Sequence, residues 1–231
     1  MVSPIYLIAV ALAVAFLLPI VKRLGKTATD IVFLLTLAFL TFVSGSWLYA
    51  FLIDKTAPFQ IFTAGVQPPL SINLQMGIIE AALLTATNFL ALIGGIYLLK
   101  YLQEAGIRAY VIFLLFALGM NGLILTRDIF NVFVFLEISS ISSYALIAFE
   151  LNPNSLRAGF RYMVAGNVAS IFLLLAVIFL YSLSGTLNID GLNAWAALQN
   201  NSLLTSIAVF MLLFSFLIEM KQFPANGWAL D

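Results

Sequence analysis

Apolar residues run in long blocks along this chain, broken by short polar stretches. Seven blocks can be drawn: Pro4–Val21, Ile31–Ile53, Met76–Leu99, Ala109–Leu125, Ile129–Leu151, Phe160–Leu183 and Leu203–Ile218. Each is close to the ~20 residues that cross ~30 Å of hydrocarbon at ~1.5 Å per residue. Lipid offers the backbone no hydrogen-bond partner, so the blocks are expected to be helices. The pattern predicts an all-α, polytopic membrane protein of about seven transmembrane helices. The first block is not expected to be a cleaved signal, because Lys22, Arg23 and Lys26 follow it and no basic residue precedes it.

Two connections are longer than the rest. Residues 54–75 carry Pro58, Gly65 and the pair Pro68-Pro69 among alternating apolar positions, which predicts a short hairpin on the membrane surface. Residues 184–202 hold Gly185, Asp190 and Gly191, with a short interfacial helix expected around Leu192–Leu198. Asn200-Asn201-Ser202 matches a glycosylation sequon, a motif short enough to occur by chance. Trp47, Tyr49 and Trp228 fit interfacial aromatic belts.

Composition agrees with the pattern. Hydrophobic residues make up 63% of the 231 and charged residues 9%, against about 25% charged in soluble domains. Ten basic and ten acidic residues cancel, so nothing points to nucleic acid as a partner. The chain has no cysteine and no histidine. Disulfides, thiolate chemistry, iron–sulfur ligation and the usual haem and zinc ligands are thereby excluded, and no cofactor or metal is expected. Any redox step belongs to another subunit, and no nucleophile–base pair suggests chemistry of the chain's own.

The charges also orient the chain. With the N-terminus outside, inner loops hold Lys22, Arg23, Lys26, Lys100, Arg108, Arg157 and Arg161, and outer loops hold Lys55 and Arg127. That asymmetry favours an outside N-terminus.

Polar groups inside the blocks are the candidates for function. A carboxylate near the bilayer centre costs at least ~2.5–3.5 kcal/mol on insertion scales. Glu137 is the clearest, about 12 Å along the fifth block from its outer end. Ser140 and Tyr144, at i+3 and i+7, share its face. A proton or ion pathway is one reading; a protonated glutamate tied to a neighbouring helix is the other. Glu219 and Lys221 precede Pro224, which must interrupt the seventh helix. They line a broken-helix cavity, or the helix exits there with both charges in the inner interface. On one regular helix they differ by about 200°, so they are not expected to face Glu137 together. Asn88, Asn121 and Asn167 are mid-span amides, expected to bond between helices or to line a hydrated path. Glu80 and Glu150 read as interfacial, and Arg127-Asp128 as a tight turn with a local ion pair.

Gly119-Met-Asn-Gly-Leu-Ile-Leu-Thr-Arg-Asp128, Phe133-Val-Phe-Leu-Glu137 and Ser142-Ser143-Tyr144-Ala-Leu-Ile147 resemble the fourth and fifth helices of the antiporter-like subunit family. That family is shared by Mrp-type cation/proton antiporters, respiratory complex I, and membrane-bound hydrogenase and ferredoxin-driven complexes. Pro68-Pro-Leu-Ser-Ile-Asn-Leu74, Arg161-Tyr162 through Tyr181, Ser184-Gly-Thr-Leu-Asn188, and Phe223-Pro224 with Trp228 continue the resemblance across the chain.

The resemblance implies translocation of H+ or Na+ in a prokaryotic cytoplasmic membrane. The fifth-helix glutamate, here Glu137, would pair with a lysine on the broken seventh helix. The position of that lysine holds Glu219 here, with Lys221 the nearest cation, so the pair would be carboxylate–carboxylate, sharing one proton or holding a cation. Ser140, Tyr144, Asn121, Asn167 and Pro224 would support it.

Family members also carry a second, inverted half. The chain would then be one transmembrane domain of residues 1–231. Its first three helices and the hairpin would lie in 1–108, and the start of the translocating repeat in 109–231. Other membrane subunits, one of them supplying the remaining half, would be obligate partners. The alternative is a non-conducting subunit that anchors a membrane arm.

Overall fold

The computed structural model describes residues 2–63, 65–66, 71–150, 152–198 and 202–226. Pro68-Pro69, the sequon's Asn200-Asn201 and Trp228 lie outside the described residues. The architecture is all-α, with one two-stranded hairpin. Among the described residues, six helices are long and apolar enough to cross a membrane, and a seventh apolar helix is shorter. The contacts divide the chain into two units, residues 1–61 with 75–125 and residues 62–74 with 126–231.

In the first unit, α1 (Tyr6–Val21) packs on α2 (Lys26–Tyr49) and on α5 (Ile107–Leu125), while α3 (Ile78–Tyr97) packs on α2 and α5. A short α4 (Leu99–Ala105), not expected from the pattern, joins α3 to α5. Leu7, Ala11, Ala15 and Leu18 form the buried stripe of α1, at the i, i+4, i+8, i+11 spacing that keeps one helix face inward. Phe33 of α2 is fully buried, edge-on to Tyr110 and Phe113 at 5.1 and 5.5 Å between ring centres. Gly95 of α3 is required by this packing: a Cβ there would lie 2.6 Å from Leu37 Cδ1.

Asn88 and Asn121 exchange two amide hydrogen bonds, 2.8 and 3.0 Å long, between α3 and α5. Glu80 caps α3, its Oε2 accepting the Gly77 N–H at 3.0 Å. The Trp47 ring is buried against Phe51 and Phe59, and its indole N–H donates to the Val2 carbonyl. Tyr49, by contrast, is exposed.

Strands β1 (Phe59–Phe62) and β2 (Asn73–Met76) form the expected hairpin. In the second unit, α7 (Pro153–Ser184) packs on both α6 (Ile129–Ile147) and α9 (Leu203–Glu219), and α8 (Ile189–Leu198) follows α7. At 32 residues, α7 is about 48 Å long, more than a bilayer core requires. It starts seven residues before the apolar block because Asn152 caps it, accepting the Ser155 N–H at 2.7 Å, with Pro153 in its first turn.

The connections are tied by backbone bonds: Arg127 N–H to Asn73 O, Ile189 N–H to Arg127 O and Ile129 N–H to Leu187 O. Arg127 pairs with Asp190 of α8 at 2.5 Å, not with Asp128. The neighbouring carboxylate is committed elsewhere: Asp128 caps α6 by accepting the Asn131 N–H at 2.9 Å.

Candidate functional site

The polar residues of the second unit converge where α6, α7 and α9 meet. Glu219 is the last residue of α9. Both its carboxylate oxygens lie within reach of the Ser140 hydroxyl, at 3.4 and 3.3 Å. Ser140 is the twelfth residue of α6, about 16 Å along that helix. The end of α9 is therefore level with the middle of α6.

Past Glu219 the chain turns sharply. Lys221 takes a left-handed backbone conformation, φ 53°, and places its Nζ 4.3 Å from the ring centre of Tyr162 on α7. A cation over an aromatic face is attracted by the ring quadrupole. The charge of Lys221 acts on Glu219, and so does that of Glu137. The helical-wheel separation of 219 and 221 thus does not hold, because regular helix ends at Glu219 and Lys221 is placed by a turn.

Glu137 is half-buried on α6, one turn before Ser140. Tyr144, two turns on, senses both glutamates. Its ring lies 6.5 Å from that of Tyr162. Gly166 of α7 faces the same point: a Cβ there would be 3.8 Å from both Glu219 Oε1 and Tyr144 Cε1. Neither Tyr162 nor Gly166 stands out as a site residue in the sequence. The helix spacing of 162 and 166 beside a polar cluster is the signal that could have found them.

The structure brings Glu137, Ser140, Tyr144, Glu219 and Lys221 together. Pro224 follows the turn and is exposed. Asn121 is in the first unit, its amide spent on Asn88. Asn167 is exposed on α7, without a hydrogen bond among the described residues. Among the described residues there is no group of three or more acidic, His or Cys residues able to hold a metal ion.

The site is thus two carboxylates in electrostatic range, one of them bonded to a hydroxyl and offset by a lysine. Like charges in range of each other disfavour joint ionisation, which a shared proton or a counter-ion relieves.

Residues 126–231 match the family model described as "NADH:quinone oxidoreductase/Mrp antiporter, TM". Subunit N of the NADH-quinone oxidoreductase of Desulforudis audaxviator is 33% identical over 99% of this chain and 46% of its own length. One subunit of a probable K(+)/H(+) antiporter of Rhizobium meliloti is 33% identical over 69% of this chain and 30% of its own length. Among solved structures, a chain of the membrane-bound sulfane sulfur reductase, an archaeal respiratory membrane complex, is 32% identical with a TM-score of 0.88, over 98% of this chain and 46% of that one.

Residues 126–231 match this family of antiporter-like membrane subunits, and nearly the whole chain is similar to one half of its subunit N relative. The chain spans about half the length of that relative.

Proposed function

We propose that this chain translocates H+ or Na+ as an antiporter-like subunit of a multisubunit complex in a prokaryotic cytoplasmic membrane. Cation movement would be coupled to redox or antiport events on other subunits, and a partner would supply the remaining half of the path. The observation that carries this reading is the meeting of Glu219 and Ser140 at the middle of α6, with Glu137 in electrostatic range. Charge is expensive at that depth, and a group that exchanges its proton or counter-ion gives a reason to keep it there.

In this mechanism Glu137 and Glu219 hold one positive charge between them. Ser140 accepts a hydrogen bond from the neutral form of Glu219 or donates one to its ionised form, so it fits both states. Lys221, exposed beside Tyr162, stabilises the doubly ionised pair after the cation leaves, and offers a route to the surface that the charge count makes the inner one. Redox or conformational events elsewhere change the distance between these charges, and the cation moves in response.

The relatives' names cover both drivers, an NADH-quinone oxidoreductase and a K(+)/H(+) antiporter. The test is Glu137→Gln in the assembled complex. Ion-coupled activity is expected to vanish while the subunits still assemble, and unchanged transport would refute the switch.

A non-conducting anchor is the second reading. It is favoured by Glu219 standing at the position where the family resemblance expects lysine.

A further inference from the structure

Hydroxyls in membrane helices ordinarily bond back to their own helix, because lipid offers no other partner. Most serines here follow that rule. Ser142 donates to Ile138 O, Ser143 to Ser139 O, Ser139 to Leu136 O and Ser184 to Leu180 O. Ser170 on α7 and Ser215 on α9 break it. They are 7% and 0% exposed, and neither hydroxyl has a hydrogen-bond partner among the described residues.

The register of α7 against α9 brings the two together. Gly166 faces Glu219, and the rings of Phe172 and Phe214 meet with centres 4.9 Å apart. As the α7 number rises by four the α9 number falls by four, so Ser170 comes opposite Ser215, one turn beyond the Gly166–Glu219 contact. About two turns further the same register brings Val177 opposite Ala208, past Leu173, and all three are buried. The seam is polar at Glu219, polar at the serine pair, and then apolar.

We infer that Ser170 and Ser215 hold one ordered water between α7 and α9, bonded to both hydroxyls and in line with the Glu219 carboxylate. Two hydroxyls with no other partner provide the bonds a buried water needs. A dehydrated cation would require more oxygen ligands than two hydroxyls and one carboxylate supply. The water extends the polar file one helical turn from Glu219 and ends it there, against Leu173, Val177 and Ala208. Glu219 then sits at the wet side of a blind end in this seam and exchanges its proton with the trapped water. The location of the water stands on the serines alone; its role as a relay rests on the proposed function.

The test is a high-resolution structure of the assembled complex, with transport measured on variants. Density about 2.7–3.0 Å from both Oγ atoms is expected. Hydroxyls turned back onto the carbonyls of Gly166 and Met211, with nothing between them, would overturn the site. In the Ser170→Ala/Ser215→Ala double variant, proton-coupled transport should fall by about tenfold or more, with a smaller response to D2O and unchanged assembly. Ser215→Thr, which keeps the hydroxyl, should retain most of it. Full transport in the double alanine variant would overturn the relay. Glu219→Gln is run beside them: if it too transports normally, the carboxylate reading has failed, while the density still decides whether the water is there.

Discussion

Glu219 and Lys221 are two residues apart, yet different forces hold them. Glu219 ends a regular helix and is fixed by Ser140. Lys221 is placed by a left-handed turn and the Tyr162 ring. The Lys221→Ala variant should therefore keep α9 and its packing but lose the charge that offsets the glutamates. We expect transport to fall by about tenfold with assembly retained, since the cation that faces the glutamates is removed. A rate within twofold of the parent would remove Lys221 from the site.

Asp128, outside the spanning helices, behaves differently. Burial holds its carboxyl above the ordinary range, opposed by hydrogen bonds from the Asn131 and Phe130 amides. A raised folded-state pKa means that the fold prefers the protonated acid. Its contribution to stability is greatest below the unfolded pKa of about 3.9, declines as pH rises to the raised value, and is level above it. Asp128→Asn removes that decline and keeps an oxygen for the α6 cap, so its stability at neutral pH should match or exceed the parent's. Asp128→Ala loses the cap and should cost about 1 kcal/mol. Unfolding midpoints of the three proteins across that pH range separate the two effects.

At the scale of the elements, close packing of α6 on α7 turns on Gly159. A Cβ there would stand 2.8 Å from Ala148 Cβ and 3.1 Å from the Tyr144 carbonyl. Gly159→Ala must push the helices apart, at a cost of about 1–3 kcal/mol. Thermal unfolding in detergent reads that cost. Because the strain falls on the turn that carries Tyr144, transport should drop along with stability. A variant as stable as the parent would show that the helices approach less closely than described.

The spans were legible in the sequence because lipid imposes one requirement, a long apolar run, on every crossing. Their ends were less so. The start of α7 was hidden by a polar first turn, although Asn152-Pro153 is a helix-start signal. The position of Lys221 was unreadable because a turn, not a helical period, sets it. Glu137 and Glu219 were legible because charge in an apolar run stands out. Ser170 and Ser215 were not, because a serine in a membrane helix looks the same whether it bonds its own backbone or faces a partner helix.

Across the whole molecule, the two units handle buried polarity in opposite ways. In the first, the mid-span polar pair is Asn88 with Asn121, neutral and mutually satisfied by two hydrogen bonds. In the second, the mid-span polar groups are two glutamates in electrostatic range, one held by a hydroxyl and offset by a lysine. A satisfied neutral pair has no proton to exchange and serves packing; an ionic cluster of like charges can change state. Asn121→Ala should then lower stability by about 1–3 kcal/mol, because it leaves the buried Asn88 amide unpaired. Ion-coupled transport per assembled complex should stay within about twofold of the parent, whereas Glu137→Gln should abolish it. Asn88→Leu combined with Asn121→Leu should restore part of the lost stability, because no amide is then left unpaired. Should Asn121→Ala stop transport while the protein stays folded, the first unit would also lie on the ion path, and the amide pair would have to be read as part of a hydrated file.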